Sequence, residues 1–107
     1  DMSIAEIFAQ RGEGAFRDLE AAVLEDAVRW LGDRVIATGG GIVVRESNRA
    51  LLTRSGAYRV YLKSDAATLH ARIVADATSA ESRPALTSLG GGVDEVASLL
   101  AIREPLY

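Results

Sequence analysis

Apolar residues recur at helical spacing early in the chain. Phe16, Leu19, Val23, Ala27 and Leu31 fall three to four residues apart, which predicts a helix with one apolar stripe. Glu25 and Arg29 stand four apart on its polar side as an ion pair. Ahead of it, Ser3-Ile4-Ala5-Glu6 has the form of a capping box. The Ser3 hydroxyl accepts from the Glu6 amide while the Glu6 carboxylate reaches back, and Met2 and Ile7 fit a hydrophobic staple. A short helix starts there and stops at Gly12, and the second helix stops at Gly32, so that helices occupy residues 3–31.

The period then shortens. Arg34-Val35-Ile36-Ala37-Thr38 and Tyr58-Arg59-Val60-Tyr61-Leu62 are short, apolar and rich in β-branched or aromatic residues, and read as buried strands. Between them, residues 46–54 suit a short helix closed by Gly56, and a helix over residues 65–75 follows. Residues 76–92 are rich in Ala, Ser, Thr and Gly, too long and polar for an ordinary connection, and read as a mobile loop or lid. Asp94 then caps a last helix, residues 94–107. Helices alternating with buried strands predict an α/β fold with a parallel sheet, in which ligands bind at the carboxyl ends of the strands.

Composition narrows the function. With 107 residues, 49% apolar and 25% charged, the chain matches one globular domain and not a disordered segment. Twelve basic against fifteen acidic residues, with the arginines scattered, argue against a nucleic-acid partner. No run has the length to cross a bilayer and no signal segment opens the chain, so a cytoplasmic protein without a membrane partner is expected. The absence of cysteine excludes disulfides and thiolate zinc sites, and the single histidine, His70, excludes a histidine cluster. His70 is expected to face solvent.

Two kinds of residue carry candidate chemistry. Gly39-Gly40-Gly41 directly follows the first predicted strand, where three residues without Cβ let a ligand approach the backbone. A flexible turn is the plain alternative. Arg17 falls in the first turn of its predicted helix, where a cation opposes the helix dipole, and Glu20 one turn on can hold it. A guanidinium fixed by a carboxylate is a good receptor for a second carboxylate, because its planar fork matches two oxygens. Arg103 lies one turn beyond Leu99 and Leu100, and Arg83 precedes Pro84 inside the loop, where its charge can swing over a phosphate.

In this order and spacing, Ser3-Ile4-Ala5-Glu6-Ile7-Phe8, Phe16-Arg17-Asp18-Leu19-Glu20, Ala37-Thr38-Gly39-Gly40-Gly41, Arg83-Pro84 and Arg103-Glu104-Pro105-Leu106-Tyr107 resemble the shikimate kinases. The resemblance spans the chain. It implies a three-layer α/β/α, nucleoside-monophosphate-kinase-like P-loop fold, and transfer of the ATP γ-phosphoryl group to the 3-hydroxyl of shikimate, a step toward chorismate and the aromatic amino acids. It implies that Arg17 and Arg103 hold the shikimate carboxylate, that Glu20 orients Arg17, and that Gly39, Gly40 and Gly41 contact the ring hydroxyls. Arg83 is implied as the catalytic cation on the transferring phosphoryl group, and Arg72 as a residue near the adenine. ATP is the co-substrate and Mg²⁺ the metal of the complete enzyme, which is expected to be monomeric.

The departures matter as well. No G-x-x-x-x-G-K-[ST] occurs, so the chain has no phosphate-binding loop, no metal ligands of its own and no lysine except Lys63. The family's aspartate near the shikimate hydroxyls and its last strand are also missing. The expectation is a truncated domain, inactive alone, in which residues 34–38 and 58–62 stand apart around the place of a lost central strand. Two other readings stay open: an effector-sensing domain related to shikimate kinase, and a different small-molecule kinase such as gluconate kinase.

Overall fold

Local hydrogen bonds at Ser3 start the fold, in a computed structural model that describes residues 1–76 and 92–107. The Glu6 amide donates to Ser3 Oγ at 3.2 Å and the Ser3 amide donates to Glu6 Oε2 at 2.7 Å, so both halves of the capping box form. The amide bond from Ser3 holds the Glu6 carboxyl below the usual carboxylate range. Helix α1, Ile4–Arg29, has two arms that meet at Gly12, whose φ of 79° and ψ of 172° are non-helical. That φ strains any residue with a Cβ, so glycine makes the break where the sequence reading put it. The second arm ends at Arg29, short of the expected Gly32, and Leu31 is exposed.

The inward face of α1 only partly follows the predicted apolar stripe, of which Phe16 and Ala27 are half-buried. Leu19 and Val23 are exposed, whereas Arg17, Glu20, Ala21, Leu24 and Val28 turn inward, with Leu24 only 3% exposed. The helix packs on α2, Glu46–Arg54, and on a 3-10 turn, Gly40–Val44. The Arg17 and Glu20 side chains lie beside the glycines at and just before the start of that turn.

Neither predicted strand forms. Residues 34–38 and 58–62 enter no ladder with any described residue, and none joins one to the other, so a parallel sheet is absent among the described residues. A helix finds its hydrogen-bond partners four residues away, but a strand needs a second segment beside it. Strand-like residues are present here without that second segment. Their alternation persists: Val60 and Leu62 are 80% and 85% exposed, while the intervening side chains engage the protein. Arg59 Nη1 donates to Thr53 Oγ1 at 2.9 Å, Tyr61 stacks on Tyr107 at 4.7 Å, and Lys63 pairs with Glu104 at 3.0 Å. Val35 is 98% exposed.

The remaining elements are helical. Helix α3, Ala66–Ala75, is capped by Asp65, whose Oδ1 accepts from the Thr68 amide at 2.8 Å. Helix α4, Val93–Arg103, is capped by Gly92 and not by Asp94, which lies in the first turn with Glu95, favourable places for acids at the positive end of the helix dipole. It gives way to a 3-10 turn, Glu104–Leu106, instead of continuing to residue 107. Helix α3 packs on α4, and His70 is half-buried where full exposure was expected. Gly56, with φ 70°, follows α2 as anticipated. The loop assigned to residues 76–92 falls, apart from its two end residues, outside the described residues, and Arg83 with it.

Two measurements test this arrangement. Amide hydrogen exchange on the 107-residue chain is expected to find residues 34–38 and 58–62 unprotected while the second arm of α1 and α2 exchange more slowly. Protection of the two segments equal to that of α1 would contradict it. The second test is alkaline titration. The hydrogen bond to Glu104 raises the Lys63 pKa, and desolvation followed by the Glu104 charge raises that of Tyr61. Both groups favour their low-pH form when folded. Their contribution is complete below about pH 10 and is lost as pH rises through the raised values. Tyrosine absorbance near 295 nm should therefore report late ionisation of Tyr61, and Lys63→Met should move it.

Candidate functional site

Helix α1 presents Arg17 to the glycine turn with its guanidinium already fixed. Arg17 Nη1 donates to Glu20 Oε2 at 3.0 Å, while Nε and Nη2 donate to Glu13 Oε1 at 3.3 and 3.1 Å. The carboxylates lie three residues after and four before Arg17, the two spacings that share a helix face. Three of the five guanidinium N–H groups are engaged in this way. Arg17 Cζ also stands 5.3 Å from the centre of its neighbour's ring, Phe16, and the Arg17 side chain is 11% exposed. Sequence reading found Glu20 but missed Glu13, although its spacing from Arg17 was the available signal.

The glycines are where they are because side chains press against them. A Cβ on Gly41 would stand 2.6 Å from Arg17 Cζ and 2.8 Å from Nη2, closer than such atoms come in real structures. One on Gly39 would meet Glu20 Oε1 at 2.7 Å. One on Gly40 would meet the Tyr107 hydroxyl at 3.1 Å, with Arg103 Nη1 at 3.8 Å. Arg103, the last residue of α4, thus reaches the same turn as Arg17. The fold therefore assembles Arg17, Glu20, Gly39, Gly40, Gly41 and Arg103 around one short stretch of backbone. It does not gather Arg72, which is exposed on the last turn of α3 and has no ion pair with another described residue.

A set of polar side chains that sequence reading overlooked ties this turn down. The Ile42 amide donates to the Gly39 carbonyl at 3.1 Å, Asn48 Nδ2 to the Ile42 carbonyl at 3.1 Å, and Arg49 Nη1 to the Val43 and Val44 carbonyls at 2.6 and 3.0 Å. Asn48 is 4% exposed, and a buried amide without a partner costs about 1–3 kcal/mol, so its bond to the turn matters to folding. Arg45 pairs with Asp18 of α1 at 2.7 Å. In the sequence these residues look like an ordinary polar helix face. Only their burial against the turn separates them from one. Two guanidiniums converging on bare backbone suit a small ligand that carries a carboxylate or phosphate next to hydrogen-bonding groups.

Among the described residues no helix is long and apolar enough to cross a membrane, and no three acidic or histidine side chains cluster so as to hold a metal. The family model described as shikimate kinase matches residues 1–107. A shikimate kinase of Rhodopirellula baltica is 47% identical over 105 residues, which cover 98% of this chain and 54% of that protein. A shikimate kinase of Oleidesulfovibrio alaskensis is 43% identical over 105 residues, 98% of this chain and 59% of that protein. One of Streptococcus gordonii is 41% identical over 106 residues, 99% of this chain and 62% of that protein. The chain thus spans little more than half the length of these curated relatives. No solved structure matches it. The match along all 107 residues, joined to a glycine turn flanked by Arg17 and Arg103, identifies the chain as a member of the shikimate kinase family.

Proposed function

We propose that this chain supplies the shikimate-binding part of a shikimate kinase, which transfers the γ-phosphoryl group of ATP to the 3-hydroxyl of shikimate on the route to chorismate and the aromatic amino acids. The observation that supports it most is Arg17, held by Glu13 and Glu20 with its guanidinium against Gly41. Arg17 and Arg103 take the substrate carboxylate, Glu20 keeps Arg17 oriented, and Gly39, Gly40 and Gly41 face the ring hydroxyls. Holding the carboxylate at one end of the ring fixes where the reacting hydroxyl sits at the other, which is how positioning lowers a phosphoryl-transfer barrier.

Arg83 is assigned to the charge on the transferring phosphoryl group, and Arg72 to the adenine. Among the described residues no acids cluster to hold a Mg²⁺, and no step is derived through the metal. Residues 34–38 and 58–62 are read as strands of a parallel sheet whose intervening strand comes from outside this chain. The complete protein is read as a cytoplasmic monomer acting on this small molecule.

Calorimetry and a coupled ADP assay test the reading together. The 107-residue chain is expected to bind shikimate without forming ADP. Steady turnover by the chain alone would contradict its assigned partial role, and failure of both the chain and the gene's whole product to bind shikimate would overturn the substrate. Arg17→Lys keeps the charge but loses the planar fork, and is expected to weaken binding by about 1.5–3 kcal/mol, the scale of a charged hydrogen bond. Gly41→Ala should weaken it roughly tenfold, at the lower end of that same scale, because the new methyl group displaces the Arg17 guanidinium. Gly14→Ala, where a Cβ meets nothing within 4 Å, should leave binding unchanged.

A further inference from the structure

Tyr107, which closes the 3-10 turn after α4, reaches the glycine turn. Its hydroxyl donates to the Gly40 carbonyl at 2.8 Å, a contact between residues 67 positions apart. Three features hold the ring that carries this hydroxyl. The Tyr107 amide donates to the Arg103 carbonyl at 3.2 Å and to the Glu104 carbonyl at 3.1 Å, which sets the ring at a fixed offset from Arg103. The ring stacks on Tyr61 with centroids 4.7 Å apart and planes 19° from parallel. Glu104, in the same 3-10 turn, is paired with Lys63 at 3.0 Å, so the stack is anchored at a second point.

The hydroxyl also lies 3.1 Å from the point a Cβ on Gly40 would occupy, with Arg103 Nη1 3.8 Å from the same point. Tyr107 and Arg103 therefore approach one α-carbon together. We propose that Tyr107 is a positioning residue: its hydrogen bond to the Gly40 carbonyl fixes the glycine turn against the end of α4 and so sets the span between Arg103 and the turn. The inference rests on the reading of that turn as the shikimate site. Tyr107 touches neither substrate nor phosphate in this role. It acts through Gly40 and Arg103, which must be correctly spaced if one ligand is to meet a guanidinium with its carboxylate and the turn with its hydroxyls. The Arg17 side of the turn is held separately by Glu13 and Glu20, so loss of the phenol loosens one flank of the site and leaves the other.

The test is Tyr107→Phe in the gene's whole product, a change that removes the hydroxyl and keeps the stacked ring. KM for shikimate is expected to rise roughly three- to fivefold, the lower part of the range for one neutral hydrogen bond, because Tyr107 is 42% exposed and water can partly replace its phenol. kcat and KM for ATP should stay within about twofold, as expected when binding common to ground and transition states is lost. The carbonyl carbon of Gly40 and the amide nitrogen of Gly41, the two nuclei of the peptide that receives the bond, should shift in the NMR spectrum. Tyr61→Phe, which retains the stack, should change neither readout. Unmoved Gly40 and Gly41 resonances overturn the bond itself. Shifted resonances with an unchanged KM for shikimate overturn the positioning role. If the unsubstituted product does not phosphorylate shikimate, the proposed function fails, and the resonances alone decide whether Tyr107 holds the turn.

Discussion

The Arg17 guanidinium occupies the space that a side chain at Gly41 would need, at the turn on which three helices pack. The 3-10 turn that contains Gly41 touches α1, α2 and α4, so it is the junction at which the helices meet. In this arrangement α1 approaches the turn with polar side chains that fill the space beside its glycines. Leu19 and Val23 of the predicted stripe stay exposed, while Arg17, Glu20 and Leu24 turn inward.

A cation at such a junction is costly to bury unless carboxylates and hydrogen bonds surround it. Here the residues that make burial tolerable also aim the group. Glu13 and Glu20 take three of its five N–H groups and fix the plane of the guanidinium. On the other side of the turn, Asn48 and Arg49 bind the Ile42, Val43 and Val44 carbonyls, so the same polar atoms that satisfy the backbone also make it rigid. Stability of the junction and readiness of the site come from one set of bonds.

Residues 34–38 and 58–62 show the opposite situation. Val35, Tyr58, Val60 and Leu62, apolar side chains worth about 1.5–3 kcal/mol each when fully buried, stand exposed because no described segment covers them. What binds the second segment to the rest is the other side of its alternation, through Arg59, Tyr61 and Lys63. Through Tyr61 and Tyr107 that side continues to Gly40, so even an unpaired segment is connected to the glycine turn.

By itself the sequence determined what depends on near neighbours along the chain. The Ser3–Glu6 box, the break at Gly12 and the pairs Glu25–Arg29 and Arg17–Glu20 all rest on groups three or four residues apart or on one glycine's permitted φ. The ordered motifs also named residues that the fold brings to the glycine turn, Arg17, Glu20 and Arg103. The tertiary structure decided the rest, for a common physical reason. A strand exists only beside a partner, a helix's inward face depends on what it meets, and the attachment of Tyr107 to Gly40 joins residues 67 apart. None of those partners lies within reach along the chain, so no local pattern in the sequence records them.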